Sequence, residues 1–393
     1  MKKNFKIPFA RVSVSGNEQK YIEEVLQSGW LTTAGKAASF EEKFAEATQA
    51  KYACAVNSGT AALHLGLEAL GVKPGDRVFV PSMTFTASAE IIRYLQANPV
   101  FLDTEYGTNL VTPEILKDAI KKNPDVRFLI VVHYGGQAAQ MLTGDEEGII
   151  DVCKRYGIKI LEDAAHAFPA RLNNQMVGSL GEVACFSFYA NKPITTGEGG
   201  MLTTSNNEIY ERVKKMRLHG IDRDVWDRFT DDKPSWEYDV VEAGYKYNMP
   251  DVNAAIGLAQ LEKAEEFRAE RQRVAEYYYK HLAPLKHLMD LPVTQVPFQD
   301  HAWHLFPVVL KENAPVSRNE FIEKMAEAGI GTSVHYKPLH RMSYYKNKYQ
   351  LKASDYPNTE KTWRGNVSLP IFPYMHEEEL SYICETIGKI FIG

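Results

Sequence analysis

From about residue 50 to residue 205, short apolar runs alternate with segments of helical periodicity: YACAV precedes TAALHLGLEALG, RVFV precedes ASAEIIRYL, NPVFL precedes TPEILKDAI, RFLIVV precedes GDEEGIIDVCKRYG, and IKILED closes the series. A run such as FLIVV has no polar face, so its strand must be covered on both sides. Repeated β-α alternation with strands of that kind predicts an α/β fold on a largely parallel central sheet flanked by helices. Right-handed crossovers then bring the loops that follow the strands to one edge, and whatever chemistry those loops carry converges there.

After this region the chain changes character. Residues 251–282, DVNAAIGLAQLEKAEEFRAERQRVAEYYYKHL, predict one long helix leaving the first domain for a second. LFPVVL and GTSVHY read as strands around the helix RNEFIEKMAEAG, and HEEELSYICETIGKIF reads as a final helix. The expected division is a large domain over residues 1–265 and a smaller α+β domain over residues 266–393.

The strand-end loops carry four informative motifs. In NSGTAAL, a strand, a Ser-Gly-Thr turn and a helix start combine free N–H groups, the positive end of the helix dipole and the Thr60 hydroxyl, which suits an anion as well as ordinary capping. PSMTFTAS places Phe85 after the strand RVFV, where an aromatic ring is either core or a stacking platform. ILEDAAHA ends a strand with Glu162 and Asp163, which serve either as caps or as a permanent partner for a cation. FSFYANKPITTGEGG puts Lys192 between an apolar run and a glycine-rich turn; taken alone it is an ordinary solvated cation. Taken together, a phosphate cradle, a stacking ring, a carboxylate for a pyridinium nitrogen and an amine able to form an imine are the parts that pyridoxal 5'-phosphate requires.

Other classes are poorly served. The chain has no GxGxxG, and SGWLTTAGKA follows Lys36 with Ala37, so neither a dinucleotide fingerprint nor a P-loop is present. The 393 residues carry 45 basic and 50 acidic side chains, a net charge of -5, with no run of five like charges. Neither a nucleic acid nor a membrane is therefore an expected partner, and a small molecule is. No eighteen apolar residues run together, and MKKNFKIPFARVSV lacks the apolar core of a signal peptide, so a cytoplasmic protein is expected. Cys54, Cys153, Cys185 and Cys384 form no CxxC pair and read as buried free thiols. His301 and His304, in HAWH, would make a metal pair only with further ligands, and none lies nearby in sequence.

With these motifs in order along nearly the whole chain, together with GWLTTAGKAASFEEKFA, VVHYGGQ, GYKYNMPDVNAAIGLAQL, HAWHLF and GIGTSVHYKPLH, the sequence resembles the DegT-type sugar aminotransferases of the fold-type-I pyridoxal-phosphate enzymes. The resemblance implies Lys192 as the Schiff-base lysine and Asp163 as the partner of the pyridine nitrogen. It implies Gly59, Thr60 and Ser187 at the phosphate, Phe85 stacked on the ring, and His166 beside the phenolic oxygen, where many relatives carry glutamine. Asn248 would reach the phosphate from a neighbouring subunit of a homodimer; the GYKYNM form of this segment leaves open whether Asn248 or Lys246 faces it. Trp30 and Thr32 in the GWLTTAG loop, with His335 and Tyr336 in VHYKPLH, would approach the substrate. The implied reaction takes an amino group from glutamate, through pyridoxamine 5'-phosphate, to the C4 ketone of a nucleotide-linked keto-sugar, with UDP as the expected nucleotide and a dTDP- or GDP-linked sugar, or C3, as alternatives. Family dehydratases replace the lysine with histidine, and Lys192 argues against that activity.

Overall fold

The computed structural model describes residues 6–142, 147–222 and 238–392. Residues 144–146, at which the helix GDEEGIIDVCKRYG is expected to start, lie outside the described residues.

The first half of the chain winds strands and helices alternately, as its hydrophobic pattern dictates. The strands are β1 (Tyr52–Val56), β2 (Arg77–Pro81), β3 (Asn98–Leu102), β4 (Phe128–Val132), β5 (Lys159–Asp163), a short hairpin of β6 (Arg171–Leu172) and β7 (Gln175–Met176), β8 (Val183–Ser187) and β9 (Gly200–Thr204). Seven of them form one sheet in the order β1-β9-β8-β5-β4-β2-β3. The pairs β2–β3, β2–β4, β4–β5 and β5–β8 are parallel, while β9 runs antiparallel to both β8 and β1. Consequently β1, β2, β3, β4, β5 and β8 all end along one edge, and β9 begins there.

Helices cover both faces: α1 (Glu18–Ser28), α2 (Gly35–Thr48), α3 (Gly59–Ala69), α4 (Ala87–Tyr94), α5 (Pro113–Lys122), α6 (Ile149–Tyr156), α7 (Asn207–Met216) and α8 (Asp251–Leu261). Local chemistry sets their starts. Ser58 Oγ accepts the Ala61 N–H, Thr112 Oγ1 accepts the Ile115 N–H ahead of Pro113, and Asn206 Oδ1 accepts two N–H groups of α7. Leu129, Ile130 and Val131 of β4 are fully buried, as a strand sandwiched between helices requires.

The long helix α9 (Ala264–Leu282) leads to a second, smaller apolar cluster around Val274, Tyr278, Phe306, Phe321 and Ile383, which Ile7 joins. Here β10 (Met289–Asp290), β11 (Phe306–Leu310) and β12 (Asn366–Leu369) pair antiparallel, accompanied by α10 (Arg318–Glu327), α11 (Ser343–Tyr349), α12 (Pro357–Gly365) and α13 (Glu377–Ile392).

Two expectations are corrected. Residues 251–282 are not one helix: the chain turns at Glu262 and Lys263, between α8 and α9. Those two side chains reach back to the N-terminal region, Glu262 accepting the Tyr21 hydroxyl at 2.6 Å and Lys263 pairing with Glu18 at 2.7 Å. GTSVHY is not a regular strand either. Only Ser333 pairs, with Ser368, and the His335 carbonyl is then taken by the side chains of Tyr134 and Asn366.

The sheet's central strand gives a direct test of this packing. Leu161 of β5 is fully buried against α3, where a Cβ added to Gly66 would lie 2.9 Å from Leu161 Cδ1. Leu161→Ala leaves a void that the glycine opposite cannot fill, so it should destabilise the fold by about 2–5 kcal/mol, read as a lowered urea midpoint with an unchanged slope.

Candidate active site

The strand alternation of β5 decides what its two acids do. Glu162 and Asp163 point to opposite faces because successive strand residues do. Glu162 is fully buried, accepts the Gly181 N–H at 2.6 Å and meets His133 Nε2 at 2.8 Å. Asp163 opens into a cavity of about 320 Å³ at the sheet edge, the size of a small-molecule site.

Gly59, Thr60, Phe85, Asp163, His166, Ser187, Lys192, His335 and Tyr336, nine side chains or backbones singled out from the sequence, all line that cavity. At one end α3 begins, and its first N–H groups lack intrahelical partners. The approach is close enough to require glycine: a Cβ on Gly59 would lie 2.8 Å from Ser187 Cβ, and one on Gly200 would lie 2.4 Å from the Ser58 carbonyl oxygen. This packing brings the helix start, Thr60 and the Ser187 hydroxyl together as an anion cradle.

At the other end Asp163 accepts the Ser88 hydroxyl at 2.7 Å and the Ala165 N–H at 3.2 Å. Burial raises its pKa, and those hydrogen bonds oppose the rise. Lys192 stands between the two ends, half-buried at the exit of β8. Desolvation by the surrounding protein brings its pKa down to about 8, against the pull of the Asp163 carboxylate. Phe85 is 55% exposed and tilts against Tyr336 with ring centroids 5.8 Å apart. His166 accepts the Gly135 N–H on Nδ1 and meets the Tyr336 hydroxyl through Nε2 at 2.8 Å. That pattern fixes the neutral tautomer protonated on Nε2. Burial keeps His166 and His335 neutral, with pKa values well below the usual histidine range and about 3, respectively.

The remaining expected residues lie outside this cavity. Trp30 is half-buried with its indole N–H on the Thr33 carbonyl, and Thr32 is exposed. Asn248 Oδ1 accepts Lys246 Nζ at 2.6 Å, and Asn248 Nδ2 donates to Thr33 Oγ1 at 2.7 Å. The two candidates of GYKYNM therefore touch each other and the GWLTTAG loop. Asp251 completes the unit by accepting the N–H groups of Ala34, Lys36 and Ala37 at the start of α2.

Sequence reading passed over Ser88, although it lies in the quoted PSMTFTAS and one helical turn from Thr84, whose hydroxyl it meets at 2.8 Å. It also left Glu198, Asn191 and Tyr189 aside, all of which line the cavity. Among the described residues no cluster could hold a metal ion, and the four cysteines form no disulfide, three of them being buried and Cys384 half-buried. No helix among them is long and apolar enough to cross a membrane.

Comparison with known proteins identifies the family. The DegT/DnrJ/EryC1/StrS aminotransferase family matches residues 13–388, and the chain belongs to it. It is 38% identical over 391 residues to the uncharacterised protein MJ1066 of Methanocaldococcus jannaschii, covering 99% of this chain and 98% of the relative. It is 37% identical over 396 residues to the spore coat polysaccharide biosynthesis protein SpsC of Bacillus subtilis, covering 100% and 99%. Among solved structures, Spr1654 of Streptococcus pneumoniae, described as a sugar aminotransferase and solved in PLP and PMP forms, superposes with a TM-score of 0.88 at 30% identity over 99% of both chains in its PLP form.

The residues present fit pyridoxal 5'-phosphate: a glycine-built anion cradle, a buried carboxylate held by neutral donors, and a depressed-pKa amine share one cavity. The amine makes a pH prediction. Lys192 is nucleophilic only when neutral, and its pKa of about 8 means that the neutral fraction grows as pH rises and saturates above that value. Incorporation of pyridoxal phosphate into the cofactor-free protein, followed by visible absorbance, should accelerate about tenfold per pH unit below pH 8 and level off above it. A profile still rising steeply at pH 10 would show an unperturbed lysine.

Proposed function

We propose that the protein transfers an amino group from glutamate to the C4 ketone of a UDP-linked keto-sugar, in the making of an amino sugar for a surface polysaccharide. The observation that carries this reading is the convergence of Lys192, Asp163 and the Gly59–Ser187 cradle in one cavity of a chain from an aminotransferase family whose relatives include a polysaccharide biosynthesis protein and a protein described as a sugar aminotransferase.

Bound pyridoxal 5'-phosphate supplies an electrophilic carbon for imine exchange and an electron sink for the carbon that loses its proton. The chain's own groups do the rest. Gly59, Thr60 and Ser187 would hold the phosphate, and Asp163, which accepts hydrogen bonds from Ser88 and Ala165, would serve as the counterion of the pyridine nitrogen. Phe85, at the cavity wall, would offer its ring for stacking on the cofactor. Lys192, once displaced, takes a proton from the donor carbon and returns one to the sugar carbon; a pKa of about 8 suits a group that must do both near neutral pH. Neutral His166 and Tyr336 would hold the cofactor's phenolic side without adding charge.

Trp30, Thr32, Lys246 and Asn248 belong in this reading to the site of a partner subunit. They form one surface unit outside their own cavity, as residues reaching across a dimer would. The nucleotide's diphosphate and base add binding energy remote from the ketone, which positions it over the reacting amine.

A panel of UDP-, dTDP- and GDP-linked 3- and 4-keto-sugars with glutamate tests the substrate. Amination of the UDP-linked 4-ketone is expected to be at least about tenfold faster than of the others, and no turnover of any member would overturn the reading. Lys192→Ala should abolish turnover and the visible absorbance of the bound cofactor. Mixing an Asn248→Ala chain with the Lys192→Ala chain should restore part of the activity through hybrid dimers with one intact site. No recovery after verified subunit exchange would remove Asn248 from the shared site.

A further inference from the structure

The HAWH motif is the part of the sequence that the reaction above leaves unused, and its two histidines part company in the structure. His301 builds the turn: its Nδ1 accepts the Trp303 N–H at 2.8 Å, and its ring stacks on the indole with centroids 4.0 Å apart. His304 instead enters the cavity wall. The segment is pinned to the turn after β4, with Ala302 N–H on the Gly136 carbonyl and Leu305 N–H on the Gly135 carbonyl. A Cβ at Gly136 would lie 3.0 Å from the His304 nitrogen, so the glycine lets the two loops touch.

Of the three histidines lining the cavity, His166 and His335 have partners within the chain. His304 is 4% exposed, its Nδ1 is buried without a hydrogen bond, and among the described residues no partner meets either nitrogen. With Nδ1 sealed in the protein, Nε2 is the nitrogen left to take a partner, and the cavity is where one can come from. Behind the wall lies Arg271, 4% exposed, with Nη1 on the Ile371 carbonyl at 2.8 Å and Nε without a partner. Among the described residues no carboxylate reaches ion-pair distance of it.

We propose that His304, backed by the Arg271 guanidinium, receives the carboxylate of the amino donor. This deepens the aminotransferase reading and rests on it. An amino acid brings a carboxylate one carbon from its amine, so the anion must lie close to Lys192. Two acidic side chains line the cavity, Asp163 and Glu198, and both repel it. Around His304 the field is positive: Lys192 and Arg271 each disfavour a proton on its ring. A neutral imidazole in a positive field offers a carboxylate one N–H donor, whereas the uncharged carbons around a sugar ketone gain nothing from that field.

The test uses holoenzyme and glutarate, a dicarboxylate with no amine to transfer, titrated by calorimetry. Wild type should bind it in competition with glutamate. His304→Leu should weaken binding by about ten- to a hundredfold, the loss expected for a hydrogen bond to a charged group. His304→Asn, which keeps an N–H, should lie between. Arg271→Met, which removes the charge and keeps a buried chain, should weaken glutarate independently. In single turnover, the glutamate concentration for half-maximal loss of visible absorbance should rise by the same factor in His304→Leu, while return of absorbance with keto-sugar nucleotide stays within about threefold of wild type. Unchanged glutarate affinity in folded variants, equal loss in both halves, or no glutarate binding by wild type would overturn the proposal. Glutarate binding that depends on His304 in an enzyme that aminates no keto-sugar would leave the carboxylate wall standing and remove the sugar reading instead.

Discussion

Lys192 must be neutral to react, and partial removal from water is what favours a neutral amine over an ammonium. Desolvation lowers its pKa, the Asp163 carboxylate pulls the other way, and the balance settles at about 8. The same low-dielectric surroundings push Asp163 upward, so its carboxylate would gain from a cationic partner such as the protonated ring nitrogen of a bound cofactor. The rest of the site follows from keeping further charge away. The three cavity histidines are held neutral by burial, and Tyr336 is pushed well above its ordinary range, so the wall offers hydrogen bonds without competing for protons.

Sheet topology makes that arrangement possible. Six strands end on one edge, so Val56, Pro81, Val132, Asp163 and Ser187 deliver their following residues to one place although 131 positions separate the first from the last. The antiparallel β9 is the exception that closes the cradle. It starts at that edge with Gly200 pressed against the Ser58 carbonyl, where no side chain would fit.

Much of this was legible because it is written in local patterns. The β-α alternation and the all-round apolarity of FLIVV define the sheet, and topology then turns separate motifs into one site. What was not legible depends on contacts between distant segments. Nothing in QLEKAEEF marks the break between α8 and α9, since neither proline nor glycine interrupts it; the break is held by Glu18 and Tyr21, some 240 residues earlier in the chain. GTSVHY alternates like a strand, yet side chains of Tyr134 and Asn366 take the carbonyl that a neighbouring strand would need. The junction of GWLTTAG with GYKYNMPD rests on Asp251 capping α2, a tertiary cap that spacing cannot reveal. His301 and His304 look alike in HAWH, and only the fold separates a turn-builder from a cavity wall.

An aminotransferase that serves an amino acid and a sugar has to bind two unlike molecules at one amine. A single strong cation at the reacting centre would favour the amino acid and do nothing for an uncharged sugar ring. A neutral donor such as His304 resolves this, because an imidazole N–H can face the donor's carboxylate in one half of the cycle without leaving a charge for the sugar to meet in the other. The charge that distinguishes the donor is set one layer back, in Arg271, where burial leaves it cationic but out of direct contact. Polarity at the wall and charge behind it let the same surface accept both substrates in turn, and this is the physical reason for lining such a cavity with histidines that never need to be protonated.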